Sequence, residues 1–394
     1  MPVERYHGVR VTQSADELVV ARPKSTSVLG MLMSIPTASL PTGMAFNTPV
    51  AIRKAADAAS LPTSVQSEID TALDNGASTI ILVLVDAGSG EPARTTNAVG
   101  SAVTKTGVHA FKSAATLGLP RPKLLVLPGF KAASVTPANA VIAEAIVVAN
   151  DLRAQLYVDG PGTTIAAAKL VVPLIGAQKR VCISDGPILK SDNGVTVAHP
   201  SSTAFAAVQS MLDTNRSPAW AHTNVLLEGV TGVSLPVEYG TEASELNEAG
   251  VNTIINRGDG FRTWGPMTAA VGTIWEFVNV VRVTDMVHES LEDAFIAYLG
   301  RPMTKDNLDL MSMTGRGLLK QLEVEGVLLP GSQFGLSTDN LPETGVQGIV
   351  KFAMAFEVPA PIYDLRIQAH RQINVAYTAL FNSVTGRFET DADL

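Results

Sequence analysis

The sequence runs to 394 residues, 46% of them hydrophobic and 17% charged, with a formal net charge of −8. That length holds two or three domains, or one with a large insertion, and the apolar fraction excludes wholesale disorder. The acidic balance argues against direct nucleic-acid packaging, which calls for a basic excess, and the low charged fraction points to a surface partly covered by partners.

The single cysteine, Cys182, excludes an intramolecular disulfide and fits assembly in a reducing cytoplasm. The opening Met1-Pro2-Val3-Glu4-Arg5-Tyr6-His7-Gly8 lacks a charged-then-apolar signal pattern. Apolar runs such as Ile80 to Val85 have the length of a buried strand, far short of the roughly 18 residues of a membrane span. The expectation is a chain made in the cytoplasm, with no membrane insertion.

In residues 1–25, Val9 and Val11 alternate with Arg10 and Thr12, the period of a strand. Polar Gln13 to Glu17, then Leu18-Val19-Val20 and Pro23, follow. This reads as an N-terminal arm: a short strand on a tether, without a partner nearby in sequence.

Over 26–265 the pattern is that of a doubly wound α/β body. Short runs rich in Val, Ile and Leu predict strands at Val28–Met33, Thr79–Val85, Lys123–Leu127, Gln155–Val158, Arg180–Ser184 and Asn252–Ile255. Helical stretches at 64–74, 97–117, 137–153, 163–174 and 201–214 separate them, and Pro and Gly mark the strand exits.

Past 266 the alternation stops, and residues 266–361 read as an α+β domain. Val287, Leu291, Phe295 and Tyr298 predict a helix over 285–299. Leu308, Met311, Leu318 and Leu322 predict another over 304–325, weakened by Gly315 and Gly317. Strands are expected at Gly326–Leu329 and at Gly348–Val358, the latter ended by Pro359-Ala360-Pro361. Residues 362–394 read as a C-terminal arm: alternation over Tyr363–Ala369, then a short helix through Ile373, Tyr377, Leu380 and Val384.

An α/β body invites a search for chemistry. Gly88-Ser89-Gly90 follows a strand, but no Gly-Lys-Ser/Thr or Rossmann spacing accompanies it, so a plain turn is the better reading. His288-Glu289 lacks the second histidine of a zinc protease, since position 292 is Glu. Cys182 lies inside a strand, where a thiol acts as a small hydrophobe. Asp159, Asp185 and Asp192 stand at strand exits, where capping and turn formation outweigh ligand binding. No Gly-x-Ser-x-Gly elbow is present. Neither a catalytic site nor a cofactor or metal site emerges.

The most distinctive text is Leu246-Asn247-Glu248-Ala249-Gly250-Val251-Asn252-Thr253-Ile254-Ile255 followed by Asp259-Gly260-Phe261-Arg262-Thr263-Trp264-Gly265. With Gly229-Val230-Thr231-Gly232-Val233-Ser234 upstream, it resembles the tail sheath subunits of phages with contractile tails and of R-type pyocins. Tyr6-His7-Gly8-Val9-Arg10-Val11 resembles that family's start, and Phe356-Glu357-Val358-Pro359-Ala360-Pro361 its late strand and proline turn. Pro266-Met267-Thr268 departs from the family's usual Asn-Arg-Thr after Trp-Gly.

The resemblance implies a non-enzymatic virion-tail subunit, assembled in the host cytoplasm. Its partners would be further copies of itself, an inner tail tube protein, and baseplate and tail terminator proteins. An inner domain would be built from the C-terminal part and the chain ends, with an outer body facing solvent. Arms would be donated from Tyr6, His7, Gly8, Val9, Arg10 and Val11 and from Leu365, Ile367 and Ala369. The receiving strand would be Ile349, Val350, Lys351, Phe352 and Phe356. Arg316 and Lys320 are the candidates for gripping the tube, and Arg257, Asp259 and Arg262 for inter-domain or inter-subunit pairing. The alternative from another class is a cytoplasmic α/β enzyme or ligand-binding protein.

Overall fold

The computed structural model describes residues 21–132, 139–192 and 194–384. The first half supplies β1 (Leu29–Ile35), β2 (Val50–Ile52), α1 (Thr63–Asp74), β3 (Ile80–Asp86), α2 (Glu91–Val99) and β4 (Leu124–Lys131). Next come α3 (Ala140–Leu152), β5 (Gln155–Asp159), α4 (Ile165–Lys169), α5 (Val171–Ile175), β6 (Val181–Ser184), β7 (Ile188–Asp192) and β8 (Val195–His199). Helix α6 (Ser201–Asn215), β9 (Gly232–Val233), α7 (Glu242–Glu248), β10 (Val251–Asn256) and β11 (Phe261–Trp264) complete this part.

Eight strands form one sheet in the order β11-β10-β6-β5-β4-β1-β3-β2. The six inner strands run parallel, and β2 and β11 close the two edges antiparallel. Period-two alternation sorts the side chains into two cores. Leu32, Ile81, Val83, Leu125, Leu156 and Val181 face α2, α3 and α7. Met31, Leu82, Leu84, Val126, Tyr157 and Cys182 face α1 and α6. The expected α/β class and all six expected strands are present, because fully buried parallel strands show as unbroken apolar runs. A separate three-stranded sheet, β8-β7-β9, was not expected.

Two helices differ from expectation. Residues 97–117 do not form one helix: α2 ends at Val99, and Gly100 and Gly107, both at positive φ, enclose a tight loop bridged by Ser101 and Thr106. A Cβ on Gly100 would lie 2.1 Å from the Thr106 carbonyl oxygen, so only glycine fits. The stretch 163–174 divides at Leu170, which puts Pro173 in the first turn of α5, where no N–H is needed.

The C-terminal part contains α8 (Val278–Ile296), α9 (Lys305–Val324), β12 (Gln333–Leu336), α10 (Pro342–Val346) and β13 (Phe352–Ala355). Val283, Met286, Val287, Leu318, Leu319, Leu322 and Phe334 form a third apolar cluster. Helix α8 starts seven residues before the expected 285. Its first turns carry Asn279 and Arg282, buried polar residues that break the apolar pattern: the Asn279 amide donates to the Ala219 and Pro359 carbonyls, and Arg282 pairs with Asp213.

The expected strand at Gly326–Leu329 is instead a turn: Gly326 takes φ +72°, and Val327 and Leu328 donate back to the Leu322 carbonyl. The strand forms later, as β12, antiparallel to β13. β13 is also shorter than the expected 348–358. Asn340 bonds both the N–H and the carbonyl of Lys351, at 2.8 Å each, and so takes the place of a strand neighbour there.

The described residues through Pro361 form one compact unit and those from Ile362 a second. In the second unit, 362–372 lack regular structure, α11 (Ile373–Ser383) follows, and every described side chain is exposed.

Candidate assembly interface

Features that invite an enzyme reading resolve into structure. The Gly88-Ser89-Gly90 turn leads into α2 with Glu91 in the first turn, so a carboxylate already stands where a phosphate would sit. Gly88 has φ +62°, and a Cβ there would lie 2.6 Å from that of Ala93. Asp159 accepts from the Ser202 N–H at 2.9 Å and hydroxyl at 2.7 Å, holding the start of α6; burial pushes its carboxyl up to about 6. Asp185 accepts from the Gly162 N–H at 2.7 Å and shapes the loop after β5.

Asp192 behaves differently from a cap. It lies 3.2 Å from Nε2 of His199, whose Nδ1 is 2.9 Å from Glu68, so the imidazole bridges the β7–β8 hairpin to α1. The Glu68 hydrogen bond outweighs burial and raises the His199 pKa. Cys182 is buried and its thiol is pushed up to about 12 by desolvation, which keeps it protonated. Among the described residues no group of three or more His, Cys, Asp or Glu is placed to hold a metal ion, and no helix is long and apolar enough to cross a membrane.

The most highly charged packing lies along α8, which crosses near the starting ends of the parallel strands. Arg282 pairs with Asp213 of α6, and Asp285 with Arg180 before β6 at 2.5 Å. Glu289 pairs with Lys123 before β4, Glu292 with Arg153 after α3, and Asp293 with Lys24 before β1. Acids about one helical turn apart (about 5.4 Å) thus meet bases carried just before β6, β5, β4 and β1. Burial raises the Asp285 pKa and lowers that of Lys123, whereas the Arg153 hydrogen bond lowers that of Glu292. Sequence reasoning missed this ladder, although its signal, acids at 285, 289 and 292, is legible.

The sequence-expected residues fall in three places. Arg316 and Lys320 share a cleft of about 500 Å³ beside β12 with Ser332, Gln333 and Phe334. Arg316 donates Nε to the Phe334 carbonyl at 2.8 Å, and Lys320 lies 2.9 Å from Glu323. Glu323 accepts from the Ser332 hydroxyl at 2.5 Å and N–H at 2.7 Å; the hydroxyl, then Lys320, hold its carboxyl down at about 2.

Arg262 pairs with Asp259 at 2.6 Å across the β10–β11 turn and keeps that carboxyl below its usual range. Arg257 lies 4.5 Å over the Tyr239 ring, which meets Trp264 edge-on. The structure places Arg257 and Asp259 on the exposed β10–β11 turn and Arg262 beside them at the start of β11, half-buried.

Of the expected receiving strand, Phe352 alone lies in β13. Ile349, Val350 and Lys351 precede it, Asn340 holding both backbone groups of Lys351, and Phe356 follows it. Among the described residues, β13 pairs with β12 on one edge and with no strand on the other. Beside it lies an apolar groove of about 590 Å³ lined by Met354 and by Leu291, Phe295, Ile296 and Leu299 of the α8 region. The sequence singled out none of these groove residues for it. Tyr6, His7, Gly8, Val9, Arg10 and Val11 lie outside the described residues. Leu365 and Ile367 are exposed, as is Ala369.

Residues 104–269 match the phage tail sheath protein central domain. The chain is 27% identical over 389 residues to the tail sheath protein of Escherichia phage P2, covering 92% of this chain and 94% of that protein. It is 28% identical over 338 residues to a protein named as a prophage major tail sheath protein of Pseudomonas aeruginosa, covering 82% of this chain and 85% of the relative. Its fold is similar to the PVC sheath of an extracellular contractile injection system in the contracted state. That likeness has a TM-score of 0.73 at 17% identity and covers 95% of this chain and all of the other. The reading as an α/β enzyme finds no support in these likenesses.

Proposed function

We propose, for a chain whose residues 104–269 match the phage tail sheath protein central domain, the role of a structural subunit of a contractile tail sheath. The observation that carries this reading is end-to-end likeness to a phage tail sheath protein, over 92% of this chain and 94% of the relative. Subunits polymerise around an inner tail tube, as part of a virion tail assembled in the host cytoplasm. Contraction drives the tube through the target cell envelope. Baseplate and tail terminator proteins are the partners at the two ends.

In this reading the outer body is 26–265, the inner domain 266–361, and the arms 1–25 and 362–394. The open edge of β13 supports a donated strand, because unpaired backbone groups at an edge are a template for strand addition. Tyr363, Leu365, Ile367 and Ala369 alternate with polar residues, which lets one face of such a strand lie on the groove. Several backbone bonds at about 0.5–1.5 kcal/mol each make a modest junction, which repetition along a polymer turns into a durable one. The work of contraction comes from interface formed in the contracted lattice, with no nucleotide site invoked.

Electron microscopy of the purified protein tests this. Wide-bore hollow cylinders are expected, and deletion of residues 1–20 should leave the α/β body folded while abolishing them. A stable monomer at high concentration overturns the sheath reading; normal cylinders from the truncated chain overturn the role of the N-terminal arm.

A further inference from the structure

We infer that α11 of one subunit docks on the apolar end of α8 and the turn after it in a second copy, at half-buried Phe295 and exposed Ile296 and Leu299. The inference rests on the sheath reading and adds to it a helix contact beyond the donated strand.

Two surfaces motivate it. Residues 373–384 contain no Asp, Glu, Lys, Arg or His, yet Ile373, Tyr377, Leu380, Phe381 and Val384 are each about half exposed or more. Their spacing of four, three, one and three places them along one side of a helix. An isolated helix of this length is marginal in water, and one without charge to solvate it requires cover. The second surface is the end of α8 with the turn after it, where Ile296 is 63% and Leu299 79% exposed at the rim of the 590 Å³ groove.

Reach, charge and number favour a second copy as the occupant. Only His370, Arg371 and Gln372 separate the alternating segment 363–369 from α11, a span of at most about 10 Å. A strand seated on the β13 edge therefore delivers its helix beside Met354 and α8. The segment carries Arg366, His370 and Arg371 with Asp364, and the groove side carries Glu292 and Asp293, which also face Arg153 and Lys24 of their own chain. Among the described residues each chain offers one such helix and one such stripe, so head-to-tail donation covers both along an unclosed, helical series of subunits.

The test uses full-length protein, in which Cys182 is buried and serves as a silent background. Leu299→Cys and Leu380→Cys proteins are co-assembled and oxidised. Disulfide-linked dimers are expected from the mixture and from neither variant alone. Absence of mixed dimers overturns the proposal, as does dimerisation of Leu380→Cys alone, which indicates α11–α11 pairing. A cross-link confined within one chain of the Leu299→Cys/Leu380→Cys protein also overturns it.

A second arm compares critical concentrations for polymerisation. Leu380→Asp with Phe381→Asp should raise the value at least about tenfold, and Ile367→Pro should abolish cylinders. Cylinders that tolerate Ile367→Pro overturn the donated strand of the sheath reading. Tolerance of the α11 substitutions alone removes only the helix contact. Binding of the wild type to anionic vesicles, lost in the α11 variant without any mixed dimers, overturns the second copy as occupant in favour of a lipid surface.

Discussion

At the scale of single residues, His222 shows how burial sets a proton. Its Nδ1 lies 3.1 Å from the Tyr157 hydroxyl and 3.2 Å from Gln209 Oε1, with the Phe205 ring edge-on. Gln209 uses its amide N–H groups on Asp213 and the Trp220 carbonyl, so its oxygen is left to accept from the ring. Burial, and then the charge of Arg282, lower the pKa from 6.5 to about 3. Because the folded value is depressed, the neutral ring's contribution to stability is complete above the unfolded value and is lost as pH falls toward 3. Asp159, raised to about 6 by burial, acts with the opposite sign over part of this range. A comparison of variants at one site separates the two. His222→Gln should flatten the acid-side loss of stability by up to about 1.4 kcal/mol per pH unit. Denaturant unfolding from pH 7 to 3.5 measures this; curves that stay parallel for both proteins remove His222 as the cause.

At the scale of elements, two glycines two residues apart in α9 have opposite reasons to exist. A Cβ on Gly315 would lie 2.4–2.7 Å from the ring of Phe334, which stacks on Phe352 and also meets Phe295. Nothing lies within 4 Å of the same position on Gly317. Helix propensity favours alanine at both, by about 1 kcal/mol. Gly315→Ala should nevertheless destabilise, by about 1–3 kcal/mol, because the aromatic cluster has to shift. Gly317→Ala should stabilise by about 0.5–1 kcal/mol. Thermal unfolding of the two variants decides it, and shifts of the same sign would show that the close approach of β12 to α9 does not matter. In the sequence both glycines read simply as weak points of a helix. Only the position of Phe334 tells them apart.

At the scale of the whole molecule, the question is which charges remain for partners. The buried part of the α8 ladder is occupied within the chain, and pairs such as Arg282–Asp213, with side chains 4% and 0% exposed, leave a buried charge uncompensated if one member is removed. Lys320 is 73% exposed beyond its contact with Glu323 and remains the better candidate to meet acids on a tube. Arg316 is partly committed to the Phe334 carbonyl, so its substitution also disturbs β12. Lys320→Glu with Arg316→Gln should weaken assembly around the tube more than tube-free polymerisation, measured as cylinder yield with and without tube protein. Equal losses would remove this cleft as the tube contact.

What the sequence by itself determined is the α/β class, the six buried strands and the sheath resemblance. Continuous apolar runs and one distinctive block are local signals that survive without neighbours. It misplaced the breaks at 100–107 and Leu170, the early start of α8 and the extent of β13. Each of those depends on a contact distant in sequence or on a backbone angle: the Thr106 carbonyl against Gly100, Asp213 beneath Arg282, Asn340 in place of a strand. The groove beside β13 was illegible for the same reason. Leu291 and Phe295 read as one side of an amphipathic helix, and only tertiary packing decides that, among the described residues, the Ile296–Leu299 end is left exposed beside an unpaired strand edge.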